Sequence, residues 1–277
     1  YTHCEIDPLV ILSIAGALIP WPNHNQAPRN TYQVSMGKQA LGIYHSNHLN
    51  RFDGKTKVLA FPSRPMLETE LYDTVGLNTR GPGRNVEVAF MAIPYTEEDD
   101  FVFKKEFLDR GGFRIYKYIT YKTIVKLSGD VVEKLTKPER RQGEPENRYR
   151  YIQSGAQDPT LAGLPQIGAP LRQGDCIIGK IQSIAGALPR NESTFLRVGD
   201  EGVVDKILVT TDNKSYVVNT KMRVMRVPEE GDKFAPRNAQ KGTIGLVVPE
   251  AYLPFDETGI VPDMIANPHC FTADTPI

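Results

Sequence analysis

The sequence predicts a mainly β protein with α/β parts. Short runs of strand-forming residues at 176–181, 202–211 and 216–227 are broken by Gly, Asn and Asp turns. An alternating run, RIYKYITYKTIVKL, follows Gly112 and Phe113, and a later Pro- and charge-rich stretch at 137–150 is typical of a surface loop. No internal repeat of fixed period is present, which excludes solenoids and propellers.

Bulk composition narrows the class of protein only a little. The chain has 277 residues, of which 33 are basic and 33 acidic, and its 40% of hydrophobic residues is ordinary for a globular protein. Because the charges cancel, any contact with a polyanion must come from a local cluster. Cys4, Cys176 and Cys270 are too widely spaced for a zinc pair, and His24 and His269 lack partners at metal spacing. We therefore expect no zinc, and the odd number of cysteines favours a reducing compartment without structural disulfides.

The N-terminal segment is first apolar and then polar. Residues 8–20 (PLVILSIAGALIP) are too short to span a bilayer and lack a basic flank, so a buried helix is expected. The following residues are predicted to become helical from about Thr31, which would leave Arg29 on a loop. Tyr1 is not Met, and no polar tail separates it from the patterned segment that follows. We therefore expect further sequence to precede it.

Four consecutive acids, Glu97, Glu98, Asp99 and Asp100, follow the strand-forming residues 86–93. We expect a buried strand there to deliver these carboxylates to a loop. Carboxylate oxygens are the ligands that Mg²⁺ prefers, usually one or two of them beside substrate phosphates. The residues alone leave a second interpretation open, a solvated acidic turn or a helix N-terminus stabilised by its dipole.

A basic segment, GDKFAPRNAQKGTIG, carries Lys233, Arg237 and Lys241 at offsets of four residues. Regularly spaced cationic side chains on a flexible backbone can bind a row of phosphates, since each charge displaces counterions from the nucleic acid without reading its bases. A basic surface turn would have the same composition and stays an alternative.

Arg29 forms a further candidate group with Lys38 and Gln39, which we place on the helix that follows it. Arginine can donate two parallel hydrogen bonds to one phosphate, and lysine cannot. Taken singly, exposed basic side chains more often only keep a protein soluble.

Four ordered blocks resemble the second-largest subunits of eukaryotic-type multisubunit DNA-directed RNA polymerases. YTHCEIDPLVILSIAGALIPWPNHNQAPRNTYQVSMGKQALG, at 1–42, is similar to the segment that opens the family's hybrid-binding region. GDCIIGK at 174–180, GDKFAPRNAQKGTIG at 231–245 and GIVPDMIANPH at 259–269 are similar to further family blocks. The resemblance covers nearly all of residues 1–269 and is weakest at about 120–170, where the family's wall or flap domain varies.

The resemblance implies a double-psi β-barrel hybrid-binding domain that is interrupted by an inserted β-rich wall or flap domain. Residues 1–114 and 227–269 would form the two parts of the hybrid-binding domain, and 115–226 would form the wall. The implied reaction is nucleotidyl transfer, in which an RNA 3′ hydroxyl attacks the α-phosphate of a nucleoside triphosphate with Mg²⁺.

The resemblance also implies partners and a location. The partners are the largest polymerase subunit, other polymerase subunits, template DNA, the RNA–DNA hybrid and nucleoside triphosphates, with no membrane. The location would be the nucleus, or the cytoplasm or virion if a large DNA virus encodes the chain.

Site residues follow from the resemblance position by position. Glu98 and Asp99 match the pair near the second, nucleotide-borne Mg²⁺, which is shared with the largest subunit, and Arg29 matches an arginine that approaches the triphosphate. Lys233 and Lys241 match two lysines near the growing RNA end. Further contacts to nucleic acid are expected from Lys38, Gln39, Arg237 and Gln240.

The chain departs from the family pattern around both groups of site residues. Pro94, Thr96 and Glu97 stand where the family commonly has Gly, Asn and Gln, although the Glu-Asp pair is kept. Pro236 replaces a usual Ser, and Asn238-Ala239 replaces His-Gly. This divergence indicates a fast-evolving lineage, such as a large DNA virus.

The tail after His269 reads CFTADTPI and is similar to the opening block of an intein. A cysteine suits that position because its thiol can attack the preceding peptide carbonyl in an N-to-S acyl shift. Cys270 is therefore the expected splicing nucleophile, with 270–277 as the intein start. A divergent tail with a buried cysteine is the alternative.

A catalytic subunit is not the only class of function that the residues allow. The family's downstream arginine and clamp zinc site would lie beyond Ile277, so we expect the isolated chain to be inactive. A non-catalytic nucleic-acid-binding β module and a scaffold paralogue are alternatives, and both require Glu98 and Asp99 to be dispensable.

Overall fold

The computed structural model describes residues 1–127, 131–155, 161–184, 186, 188–212 and 214–272. With 31% strand and 14% helix, the chain is mainly β, which confirms the predicted fold class. It divides into two compact units. Unit 1 comprises Tyr1–His48, Val58–Ile115 and Arg226–Ile277, and unit 2 comprises Leu49–Lys57 and Tyr116–Met225.

The secondary-structure elements are numbered in chain order. The α-helices are α1 (Ile14–Ala17), α2 (Ala27–Gly37), α3 (Leu71–Thr74), α4 (Lys105–Asp109) and α5 (His269–Thr272). The strands are β1 (Lys55–Leu59), β2 (Val88–Phe90), β3 (Asp100–Lys104), β4 (Ile115–Lys126), β5 (Val131–Leu135), β6 (Pro170–Leu171), β7 (Cys176–Ile178), β8 (Lys180–Ile184), β9 (Arg190–Asn191), β10 (Thr194–Phe195), β11 (Gly202–Asp212), β12 (Ser215–Arg226), β13 (Lys233–Phe234), β14 (Gly242–Val248) and β15 (Met264–Ala266). Short 3₁₀ helices cover Pro8–Ile11, Pro22–His24 and Glu250–Tyr252.

The apolar N-terminal segment is not one buried helix, so that prediction is wrong. Asp7 caps the 3₁₀ helix and Ser13 caps α1, and the extended backbone at Leu12 separates the two. Ile11 and Ile14 are 84% and 69% exposed. Two short helices cannot turn one apolar face continuously toward a core, because each has little more than a single turn.

Helix α2 begins at Ala27, four residues before the predicted start. Pro28 stands in the first turn, where its missing N–H costs nothing and its fixed φ is helical. Arg29 therefore lies in the helix and not on a loop. Lys38 caps the other end of α2 and Gln39 follows it, so the helix does not carry them as predicted.

The central sheet of unit 1 has the strand order β13-β14-β3-β15-β2. Strand β3 pairs parallel with β14 and antiparallel with β15, and β15 pairs parallel with β2. Strand β3 is buried on both faces, which explains its nearly continuous apolar sequence. Alternate side chains enter two clusters: Phe101 and Phe103 lie in one, and Val102 lies in the other.

An aromatic cluster connects β3 with β13. The ring centroids of Phe103 and Phe234 are 5.1 Å apart, and those of Phe113 and Phe234 are 4.8 Å apart. Such ring pairs add about 0.5–1.5 kcal/mol each beyond the burial of their area. The cluster fixes Phe234 and with it the neighbouring Lys233.

The buried strand predicted at 86–93 is a short strand, β2, at one end of the sheet order. Val88 and Phe90 are 39% and 60% exposed, so the prediction of burial is wrong. An apolar run does not distinguish a central strand from an edge strand. In the described residues the sheet order ends at β13 and β2; barrel closure and double-psi connectivity stay predictions.

Unit 2 is built mainly from antiparallel strands. One sheet has the order β1-β4-β12-β11-β6, and smaller sheets have the orders β5-β8-β9 and β10-β7. The predicted run at 176–181 is divided into β7 and β8 at Gly179, where a Cβ atom would lie 2.5 Å from the Thr136 carbonyl oxygen. The assignment of the two units to hybrid-binding and wall domains stays a prediction.

No helix in the described ranges is both long and apolar enough to cross a membrane.

Cys4 in unit 1 and Cys176 in unit 2 differ in exposure, which predicts that their thiols differ in reactivity. Burial raises the pKa of the Cys176 thiol to about 12, whereas Cys4 is exposed. Since the thiolate is the reactive form, a chromogenic disulfide reagent near neutral pH should label Cys4 quickly and Cys176 only after unfolding. Cys4→Ser should remove the fast phase. Labelling of Cys176 in the folded chain as fast as Cys4, located by peptide mass, would contradict this prediction.

Candidate active site

A cleft of about 890 Å³ lies in unit 1 beside β3 and β14. Its lining contains all four acids of the run and, from the basic segment, Lys233 and Lys241 but not Arg237. In the sequence these acidic and basic groups are separated by the larger part of unit 2, Tyr116–Met225. The lining residues with polar or charged side chains are Thr96, Glu97, Glu98, Asp99, Asp100, Lys233, Lys241, Thr243, Asn267 and His269.

Strand register explains why these groups meet. Lys233 on β13 pairs with Thr243 on β14, and Thr243 pairs with Asp100 on β3. The three residues form one row across adjacent strands, so the backbones of Lys233 and Asp100 lie only about 10 Å apart. Lys241 immediately precedes β14 and stands next to this row.

The acids occupy a turn that enters β3. The Asp100 amide donates to the Glu97 carbonyl at 3.2 Å, and the Thr96 hydroxyl donates to the Ile93 carbonyl at 2.7 Å. Glu98 and Asp99 lie at the tip of the turn and are exposed. The buried strand therefore follows the acids, whereas we expected one to precede them.

The turn lies directly against β14. The Thr243 amide donates to the Asp99 carbonyl at 3.1 Å. A Cβ atom at Gly242 would lie 2.2 Å from that carbonyl oxygen, closer than any real side chain allows. Glycine at 242 is thus required for the acidic turn to reach β14.

Two other residues of the basic segment do not line the cleft. The Arg237 guanidinium lies 5.8 Å over the Tyr72 ring, and the Gln240 side chain donates to the Cys270 carbonyl at 3.0 Å. Offsets of four residues would align these side chains on a helix, but the segment between β13 and β14 is a turn. The predicted row of three cations is therefore reduced to Lys233 and Lys241 at the cleft.

The Arg29 side chain also stands outside the lining. Its Nη1 donates to the Ala239 carbonyl at 3.4 Å, and its guanidinium lies 5.8 Å over the Tyr32 ring. Ala239 is buried and has a φ of 67°, in the left-handed region where glycine is favoured. Lys38 and Gln39 are exposed at the end of α2.

Sequence reasoning missed Thr243, Asn267 and His269. Asn267 Nδ2 donates to the Glu97 carbonyl at 3.3 Å, and the His269 amide donates to Asn267 Oδ1 at 3.0 Å. All three belong to blocks that carried the resemblance, but His269 was considered only as a metal ligand and was set aside for want of partners at metal spacing. Nothing local in the sequence indicates that these residues face the acidic turn.

Comparison with known proteins identifies the protein family to which the chain belongs. The chain matches the family described as RNA polymerase Rpb2, domain 6, over residues 15–273, and it therefore belongs to the family of second-largest RNA polymerase subunits. The predicted resemblance to that family is confirmed.

Individual relatives come from eukaryotes and archaea. The chain is 38% identical to "DNA-directed RNA polymerase II subunit RPB2" of Encephalitozoon cuniculi, 37% identical to the protein of that name in Schizosaccharomyces pombe, and 36% identical to "DNA-directed RNA polymerase subunit Rpo2" of Sulfolobus acidocaldarius. Each alignment covers 97% of this chain and 23–25% of the relative. The chain thus spans about a quarter of the length of these curated relatives.

Gly242→Ala should displace the acidic turn, because its methyl group cannot fit beside the Asp99 carbonyl. We expect a loss of about 1–3 kcal/mol in the free energy of unfolding, as for other overpacked sites, and faster hydrogen exchange at the Thr243 amide. Gly83→Ala is the matched control, since a Cβ atom there meets nothing within 4 Å. Equal stability of the two variants, with unchanged exchange at Thr243, would show that the turn does not depend on this contact.

Proposed function

We propose that this chain supplies one half of the active centre of a DNA-directed RNA polymerase, which extends RNA by nucleotidyl transfer. The observation that carries the proposal is the cleft in which Glu98 and Asp99 meet Lys233 and Lys241. The names of the relatives, all polymerase subunits, support the same reaction. The unit 1 sheet would belong to a double-psi barrel, and unit 2 would be the wall domain.

Glu98 and Asp99 would hold the Mg²⁺ ion that arrives with the nucleoside triphosphate. The fit is partial, because no group of three His, Cys, Asp or Glu side chains converges on a metal position in the described ranges. Mg²⁺ commonly takes one or two protein carboxylates and completes its shell with water and substrate phosphates, so two exposed carboxylates are sufficient. Bound there, the ion would neutralise charge on the triphosphate as pyrophosphate leaves.

Lys233 and Lys241 would hold phosphates near the growing RNA end. An ammonium group binds phosphate as a point charge, so both side chains can fix the RNA without reading its bases. The two lysines lie across the paired strands from the acids. They would therefore place the reacting RNA 3′ hydroxyl next to the triphosphate.

The remaining contacts rest mainly on the resemblance. Arg29 would approach the triphosphate, although its guanidinium contacts Ala239. Lys38 and Gln39 are exposed and would contact the hybrid. Arg237 and Gln240 are assigned to nucleic acid by position, while their side chains contact Tyr72 and the Cys270 carbonyl.

The complete site would need partners. The largest subunit would supply the first metal, other subunits would complete the assembly, and template DNA, the RNA–DNA hybrid and nucleoside triphosphates would occupy it. The chain would work in the nucleus if its source is eukaryotic, or in the cytoplasm or virion if it is viral.

Asp99→Ala in the full subunit, assembled into the polymerase, should slow nucleotide addition about a hundredfold, since one charge-stabilising group is worth about 3 kcal/mol. High Mg²⁺ should restore part of the rate. Lys233→Ala should instead speed release of the RNA end, with little dependence on Mg²⁺. Both are measured by single-nucleotide addition and by RNA retention.

Glu257→Ala, which removes an exposed carboxylate elsewhere in unit 1, is the control and should behave as wild type. Elongation by Asp99→Ala at the wild-type rate under limiting Mg²⁺ would exclude the metal role. If Lys233→Ala then weakened only nucleic-acid binding, a non-catalytic scaffold would be favoured.

We also propose that Cys270 opens an intein. The Cys270 thiol would bond to the His269 carbonyl carbon while the peptide C–N bond breaks, giving a thioester and a free Cys270 amine. Cys270 is 3% exposed, which would shield a thioester from water, and Gln240 holds its carbonyl. The rest of the tail, 273–277, lies outside the described residues.

Expression of the complete reading frame tests this splicing. Wild type should give a spliced product lacking everything from Cys270 to a downstream Asn, whereas Cys270→Ala should persist as the precursor. Cys4→Ala, at an exposed cysteine, should splice normally. A wild-type precursor that keeps its full mass would favour a divergent tail with a buried cysteine.

A further inference from the structure

We propose that Asp100 is a positioning residue: its carboxylate fastens the acidic turn to β14 through Thr243, so that Glu98 and Asp99 stay in place at the cleft. This inference rests on the proposed function of Glu98 and Asp99. It distinguishes Asp100, which holds the turn, from Glu98 and Asp99, which would hold the metal.

Both oxygens of the Asp100 carboxylate are engaged within the chain. Oδ2 accepts from the Glu97 amide at 2.9 Å, and Oδ1 accepts from the Thr243 hydroxyl at 3.0 Å. The first bond closes the turn, and the second joins the turn to a strand that lies far away in sequence. Unlike Glu98 and Asp99, Asp100 is only partly exposed.

The backbone of β14 is shaped to receive this carboxylate. A Cβ atom at Gly245 would lie 2.6 Å from Asp100 Oδ2, so only glycine leaves the carboxylate its position. The pairing of β14 with β3 also shifts register between Ile244 and Leu246, which marks a β-bulge at Gly245. Bulges of this kind often re-aim side chains beside active sites.

The turn is held from a second side by Asn267. Its Nδ2 donates to the Glu97 carbonyl, whereas the Glu97 amide donates to Asp100. Glu97 is therefore fixed at both of its backbone polar groups. The next two residues, Glu98 and Asp99, are left exposed at the tip.

Asparagine at position 100 distinguishes positioning from metal binding. In Asp100→Asn, the amide oxygen can still accept from the Glu97 N–H, and the amide nitrogen can donate to the Thr243 hydroxyl. Both bonds are kept while the charge is removed. A metal ligand or an electrostatic role would lose most of its function in this variant, and a positioning residue would not.

The test uses the assembled polymerase and the Mg²⁺ concentration that gives half the maximal rate of single-nucleotide addition. Asp100→Ala should raise this concentration about tenfold or more, the effect of losing hydrogen bonds to a charged group. Asp100→Asn should stay within about twofold of wild type, since its bonds persist. Thr243→Val should shift it in the same direction as Asp100→Ala, and Thr243→Ser should restore it. Because the two side chains share one bond, Asp100→Ala with Thr243→Val should be no worse than Asp100→Ala alone.

Two outcomes would overturn the proposal: Asp100→Asn as impaired as Asp100→Ala, or Asp100→Ala indistinguishable from wild type. Hydrogen exchange at the Glu97 amide gives a readout independent of catalysis, since Asp100→Ala should accelerate it and Asp100→Asn should not. If Asp99→Ala were also silent at limiting Mg²⁺, the proposed function would fail by itself. The exchange at Glu97 would then still decide whether Asp100 holds the turn.

Discussion

The parallel pairing of β3 with β14 is the interaction on which the rest of unit 1 depends. It sets Asp100 opposite Thr243 and thereby places the acidic turn beside Lys241. A slip of one residue would turn every side chain of β14 to the other face of the sheet and remove the buried contacts of Ile244. The same register that satisfies the core therefore assembles the cleft.

Burial and exposure are divided sharply along β3 and the turn before it. Phe101 to Phe103 are buried on both faces of the sheet, while Glu98 and Asp99, which precede Asp100 at the start of the strand, are exposed. The apolar strand supplies the free energy that keeps consecutive carboxylates together against their mutual repulsion. Glycines at 242 and 245 complete the arrangement, because the turn packs on backbone where a side chain would push it away.

The fold could be predicted from the sequence where the pattern is local. The hairpin of β11 and β12 follows alternating residues around a turn, and both strands lie close to their predicted bounds. The apolar segment at Ile11 and Ile14 and the edge strand β2 were misjudged, because composition does not reveal what an apolar side chain packs against. At the site, residue types identified the acids and lysines as candidates, but the bond between Asp100 and Thr243 spans 143 residues and has no local signal. The resemblance identified the family. The contacts between the acidic turn and β14 depend on strand register, which the sequence does not reveal.

The larger part of unit 2, Tyr116–Met225, lies between β3 and β14 in the sequence, and this sets an order of synthesis. A ribosome that adds about 5–20 residues per second completes β3 on the order of ten seconds before β14 emerges. During that interval Phe103 and its neighbours lack both strands that will flank them, β14 and β15, and unit 2 has time to fold as a body. The cleft is thus among the last parts of unit 1 to form, and the nascent chain carries an exposed apolar strand that a chaperone could recognise.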